Sequence, residues 1–264
     1  MLYGVIVFWW RERVDPDESL CGVDWAITDR WGGSSQGVHA GFNLASHVGD
    51  DPAAVETNRH RLARAFEVAA ADLRLMDQQH GAAVEVICAD SADRRPGQTS
   101  PAPRACDALV TADPDVALVT LVADCTPVLV VDRLAGLVAA VHAGRKGLIA
   151  GVVPAAIKRM QLMGARHPQA LVGPSICGRC YEVPAALRDT AAEASRAAHA
   201  VSWTGTPAID VAAGVVEQLH HLDVPTVWLP GCARESDALY SHRRDGHTGR
   251  YAGVVRLLSP RQVA

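Results

Sequence analysis

Two histidines and a cysteine occupy matching places in this chain. His80 in DQQHG, Cys125 in LVADCTP and His142 in AAVHAGRKG each lie at the edge of an apolar run beside a turn. Two imidazoles and a thiolate make a good zinc shell, and three protein ligands leave a fourth position for water or substrate. The three residues are far apart along the chain and match no compact metal motif. Each taken singly also fits a satisfied buried histidine or an inert core cysteine. Without metal, the same set would suit a hydrolase with Cys125 as nucleophile and His142 as base. A zinc ion that only stapled the fold would require a fourth closed ligand. Gly81 and Gly144 allow close backbone approach beside these residues, and Pro127 is expected to end strand pairing after Cys125.

Other segments offer weaker chemistry. SHRRDGHTGR brings Arg243, Arg244 and Arg250 into one basic turn. Arginine forks fit phosphate bidentately, so an anion site stands beside the alternative of a solvated loop. Lys146, four residues after His142, sits at a glycine-flanked turn entering a helix, where backbone N–H groups also favour anions. CGRC, residues 177–180, has the spacing of a redox or zinc pair, but no second pair accompanies it. It reads as core or loop, dispensable for activity. WGGSSQG, residues 31–37, lacks the lysine of a phosphate loop and reads as a flexible rim.

These groups need elements to hold them. VALVTLVA (116–123), PVLVVD (127–132) and GLVAAV (136–141) have strand length and are rich in Val and Leu, as expected when both faces are covered. Strands are also expected at residues 1–10, 83–87, 226–229 and 253–258. DPAAVETNRHRLARAFEVA (51–69) reads as a helix capped by Asp51, with Pro52 in its first turn. Further helices are expected at 147–164, where Pro154 kinks the helix or marks its start, and at 184–200 and 207–221. Residues 89–105, rich in Pro, Ser and charge, read as a surface loop. Consecutive strands mixed with helices indicate an α+β fold of mixed sheets flanked by helices, a layered sandwich in a single domain.

The chain has 264 residues and a formal net charge of -4. That charge argues against broad nucleic-acid binding, which needs a concentrated basic surface. The apolar opening is short, lacks a basic region ahead of it and runs into RERVDPDE, unlike a signal peptide or a membrane span. Seven cysteines are an odd number in a chain with no export signal, which fits reduced thiols in a cytoplasmic protein.

TDRWGGSSQGVHAGFNLASHVGDDPAAVETNR, DQQHG, DALVT, ADCTPVLVVD, VHAGRKGL, VGPSICGRCYEV and SHRRDGHTGR follow in this order from about residue 28 to residue 250. With them the chain resembles the laccase-domain, or multicopper polyphenol oxidase, family, whose members have also been assigned purine nucleoside phosphorylase activity. The resemblance implies one α/β domain across residues 1–264 with a metal-dependent site in a cleft. It places the zinc ligands on His80, Cys125 and His142, and makes Asp124 the supporting or acid–base neighbour of the thiolate. The implied reaction cleaves adenosine, inosine or a methylthio analogue with phosphate, and extends to deamination of adenosine. Lys146, Arg243, Arg244 and Arg250 would then serve the phosphate. The alternative is oxidation of phenols with copper. Against it, the chain has no His-X-His pair, and none of its four methionines lies within thirty residues of Cys125. Two departures stand out. Arg145 replaces the tryptophan common after His-Ala-Gly in the family, and His242 replaces the aromatic before the arginine pair, which removes two rings able to stack on a base.

Overall fold

The computed structural model describes residues 8–88 and 104–259. Its strands in chain order are β1 (Phe8–Val14), β2 (Gly22–Thr28), β3 (Leu73–Asp77), β4 (Val84–Ile87), β5 (Arg104–Ala105), β6 (Ala108–Thr111), β7 (Ala117–Val122), β8 (Thr126–Asp132), β9 (Leu137–Ala143), β10 (Gln169–Val172), β11 (His199–Val201), β12 (Pro207–Ile209), β13 (Thr226–Trp228) and β14 (Tyr251–Leu258). The helices are α1 (Pro52–Ala65), α2 (Arg145–Ala150), α3 (Val152–Leu162), α4 (Ala185–Ala194), α5 (Val211–His221) and α6 (His242–Asp245).

Two six-stranded mixed sheets carry the architecture. The first has the order β1-β2-β14-β7-β3-β5 and the second β13-β10-β8-β9-β6-β4. Side chains alternate across a strand, so an apolar run buried on both faces feeds two cores. In β8, Val128 and Val130 join a core with α3 and α5, while Leu129 and Val131 point to the other sheet. In β7, Leu118 and Val122 face the inter-sheet core, while Ala117, Val119 and Leu121 pack with Leu62 and Phe66 beneath α1. The result is four layers, helix, sheet, sheet, helix. That is the α+β sandwich expected from the sequence.

The chain passes from the first sheet to the second three times, once from β5 through Cys106 and Asp107 into β6. β7 leads through Ala123, Asp124 and Cys125 into β8, and β3 leads through residues 78–83 into β4. The β3 crossing is pinned by Gln78, whose amide donates to the Leu121 carbonyl at 2.8 Å and accepts from the Leu121 N–H at 2.9 Å. This side chain continues the parallel pairing of β3 with β7 past the last backbone pair.

Several local expectations change. The first strand is expected at residues 1–10. Residues 1–7 lie outside the described part, and β1 runs on through the charged stretch to Val14. It is an edge strand pairing only with β2, so Arg11 can reach buried Asp24 at 2.6 Å. Most of the loop at 89–105 also lies outside the described residues, and Arg104–Ala105 forms a short strand on β3. Pro127 does not end pairing. It is the second residue of β8, in register with His142, and its carbonyl accepts from Gly173. A proline is tolerated there because the strand is only beginning. The helix at 147–164 is two helices, broken at Gly151 with φ 77°. Pro154 then falls in the first turn of α3, where its missing N–H costs nothing. Within 207–221, residues 207–209 are a strand and Asp210 caps α5 by accepting from the Ala213 N–H. No helix among the described residues is long and apolar enough to cross a membrane.

Leu129 is fully buried between the sheets. Leu129→Ala should destabilise the fold by about 3 kcal/mol through lost transfer energy and a residual cavity. Equilibrium denaturation in urea would register it as a lower midpoint.

Candidate active site

The three residues singled out by type converge. A ligand atom from each of His80, Cys125 and His142 lies within 4.8 Å of the others, and the two imidazole rings meet edge to face at 4.8 Å. His142 is the penultimate residue of β9 and is 2% exposed. Cys125 is the residue just before β8, and His80 lies on the β3 crossing with φ 60°. Gly144 lets them close up: a Cβ there would sit 2.9 Å from Cys125 Sγ and 3.0 Å from His80 Cδ2.

The orientation of His142 comes from a residue that reading by type overlooked. Asp107, fully buried just ahead of β6, accepts a hydrogen bond from His142 Nδ1 at 2.9 Å. This leaves Nε2 to face the thiol. The same carboxylate accepts the N–H groups of His80 at 2.9 Å, Gly81 at 2.7 Å and Gln79 at 3.2 Å. Burial works to raise the Asp107 pKa, but the bonds from His142, Gly81 and His80 outweigh it and hold the group below the usual carboxylate range. The signal was present in ACDALV, an acid opening an apolar strand, the same pattern that marks Cys125.

Burial also pushes the Cys125 thiol up. The charge of His142 and hydrogen bonds from His142 and His80 more than reverse this, and its pKa falls from 9.0 to about 6. Burial in turn lowers His142, while the Cys125 thiolate and Asp107 raise it to about 9. Cys125 and His142 therefore form a thiolate–imidazolium pair at neutral pH when no metal is bound.

Asp124 turns the corner between the sheets with φ 93°. Its carboxylate accepts from Ser241 Oγ at 2.6 Å and from the Arg243 N–H at 2.6 Å, and its carbonyl accepts from the Ile176 N–H at 2.9 Å. It ties the α6 turn and the segment after β10 to the Cys125 corner, which is a positioning role.

The triad opens into a cavity of about 550 Å³, also lined by Arg145, Arg243, Arg250, His47 and Tyr181. Arg243 lies 5.0 Å from the Tyr181 ring centroid and donates to the Glu182 carbonyl at 2.9 Å. Arg250 directly precedes β14 and donates to the Thr248 carbonyl at 2.8 Å. Burial lowers its pKa, while the charges of Cys125 and Asp124 favour its cationic form. Two of the expected cations are elsewhere. Arg244 is engaged with Asp245 and with the carbonyls of Ala233, Ser236 and Leu239, so it braces a turn. Lys146 is exposed and outside the cavity, while Arg145 lines it. Successive residues of a helix point about 100° apart, so at the start of α2 only one of the two can face the triad.

Residues 24–258 match the family described as multi-copper polyphenol oxidoreductase laccase. A purine nucleoside phosphorylase of Streptomyces coelicolor is 47% identical over 243 residues, covering 91% of this chain and 98% of that protein. A purine nucleoside phosphorylase of Mycobacterium tuberculosis is 44% identical over 231 residues, covering 86% and 89%. The crystal structure of YlmD from Geobacillus stearothermophilus superposes with a TM-score of 0.81 at 26% identity, covering 97% of this chain and all of that one. The family match spans nearly the whole described fold, and the chain belongs to that family.

Two outcomes are expected. In metal-free protein, alkylation of Cys125 by iodoacetamide, followed by peptide mass mapping, should be half-maximal near pH 6 instead of 9. The sign follows from a depressed pKa, because the thiolate persists down to the lower value. Asp107→Asn should weaken metal binding by roughly 10- to 100-fold in a competitive chelator titration, the usual cost of losing a carboxylate behind a ligating histidine.

Proposed function

We propose that this protein is a zinc-dependent purine nucleoside phosphorylase. The observation that carries the reading is a single cavity that joins the His80–Cys125–His142 donors to three arginine side chains and to apolar walls. One compartment can thus take an anion and a purine together. The names of the relatives support the same substrate class.

The donor chemistry fits zinc. Two imidazoles and one thiolate are borderline-soft ligands, Asp107 fixes the tautomer of one imidazole, and the thiol already ionises near neutrality. When bound, the ion supplies a Lewis acid with one position left for water or substrate. Arg145, Arg243 and Arg250 hold the phosphate and keep its charge beside the sugar. Met76, Leu121, Val122, Ile176 and Tyr181 give the base an apolar surface that excludes water. A phosphate oxygen then bonds to the anomeric carbon as the C–N bond breaks, and the phosphate proton ends on the departing purine. The products are the free base and a pentose 1-phosphate.

The test is incubation with adenosine or inosine and inorganic phosphate, with chromatography of the products. Release of base should require phosphate, and Cys125→Ser or His80→Ala should lower turnover by roughly 100-fold, the scale for losing an electrostatic group of the transition state. Arg250→Ala should raise the KM for phosphate about tenfold, the worth of one charge-assisted hydrogen bond, with nucleoside binding little changed. Lys146→Ala should leave the phosphate dependence as it is. No phosphate-dependent release, together with oxygen-dependent oxidation of a phenol by copper-loaded protein, would overturn the reading in favour of an oxidase.

A further inference from the structure

The described residues hold a second group of metal-binding side chains. Sulfur atoms of Cys177, Cys180 and Cys232 and a carboxylate oxygen of Glu235 all lie within 4.8 Å of one another. We propose that these four residues form a second, closed metal site that takes a single zinc ion and staples two turns beside the cavity.

Both turns have one design. Cys177-Gly178-Arg179-Cys180 turns back with the Cys180 N–H donating to the Cys177 carbonyl at 2.9 Å. Cys232-Ala233-Arg234-Glu235 turns back with the Glu235 N–H donating to the Cys232 carbonyl at 3.1 Å. The first pair thus has a partner with the same spacing, and a carboxylate stands where a fourth thiol would complete the pattern. A parallel bridge between Ser175 and Cys232 sets the turns side by side, and the Ala233 N–H donates to the Ser175 carbonyl at 2.9 Å. Gly178 lets the first turn pack closely on the start of α5, because a Cβ there would lie 2.8 Å from Asp210 Cβ.

Burial raises the Cys177 and Cys180 thiols in the metal-free protein, while two contacts around the cluster suit a bound metal thiolate. The Cys177 N–H donates to Cys232 Sγ at 3.4 Å, a contact that favours a charged sulfur. Trp203 Nε1 donates to Glu235 Oε1 at 3.2 Å and orients the carboxylate as an outer partner orients a ligand. Cys180 and Cys232 are buried and Cys177 is half-buried. In zinc tetrahedra with Zn–S near 2.3 Å, neighbouring sulfurs are about 3.8 Å apart, within reach of this cluster by small side-chain rotations. Four ligands close the shell, as in a structural site, whereas the His80–Cys125–His142 set has three.

The position gives the ion something to hold. Ile176 and Tyr181, on either side of the first turn, line the cavity, and the Ile176 N–H donates to the Asp124 carbonyl. The second turn leads within a few residues to Ser241 and Arg243, which hold the Asp124 carboxylate.

The inference stands independently of the proposed reaction and of the first metal site. Protein purified under reducing conditions, saturated with zinc chloride and desalted should yield, by elemental analysis, one zinc equivalent more than Cys177→Ser/Cys180→Ser. The same equivalent should remain in Cys125→Ser/His80→Ala. Cobalt bound to that second variant should give a thiolate-to-cobalt charge-transfer band, weakened and shifted in the further Glu235→Gln variant. Should the double serine variant fail to fold, the intact protein still decides. Zinc should protect three additional thiols, mapped to Cys177, Cys180 and Cys232, from alkylation, and a chelator should expose them. Equal zinc in wild type and the double serine variant, unprotected thiols, or a disulfide among these cysteines under reducing conditions would overturn the proposal.

Discussion

One buried carboxylate organises the centre of the molecule. Asp107 accepts three successive backbone N–H groups from the turn at Gln79, His80 and Gly81 and a fourth hydrogen bond from His142 Nδ1. An ion without such partners would be expensive in this interior, and with them it remains charged. The turn at 79–81 cannot shift without leaving N–H groups unpaired, at about 1–3 kcal/mol each. The β3–β4 crossing, the end of β9 and the start of β6 are thereby locked to one another, and two of the three donor residues are placed by that lock.

The third donor depends on a different device. Cys125 sits at the corner where the chain leaves one sheet for the other, and the residue before it has φ 93°. Backbone of that kind persists only where the surroundings over-determine it. Here Ser241, Arg243 and Ile176 all bond to Asp124, so two distant segments, the α6 turn and the stretch after β10, keep the corner in shape. Strain is held at the one place where a thiol must face two imidazoles, while the strands on either side are ordinary two-faced core.

Charge in the cavity is divided between fixed and available groups. Arg244 bonds four carbonyls and Asp245, which braces the turn carrying Arg243. Arg145 and Arg250 flank the donors instead. Arg145 puts a cation beside the triad, and Tyr181 stands as an aromatic wall under Arg243.

The sequence by itself determined the layered α+β class, because the runs around β7, β8 and β9 are apolar at nearly every position and read as strands covered on both faces. It also determined α1 with its Asp51 cap, and it singled out His80, Cys125 and His142 by type, although each alone also fits a core residue. The strands β6 and β10 were illegible because ALVT and QALV show no alternation, whereas the equally short β4 alternates in AVEVI. β3 was masked by Arg74, and β2 by Asp24, whose ion pair with Arg11 exists only after β1 has folded beside it. Only the tertiary structure decided which cation meets the triad, because Arg145 and Lys146 differ by one step around a helix. The same holds for Asp107, and for Cys232 and Glu235, which complete the pair at 177–180 from more than fifty residues away. Hydrogen bonds and donor shells are closed by chain segments that meet in space, and the spacing of such segments along the chain carries no record of the meeting.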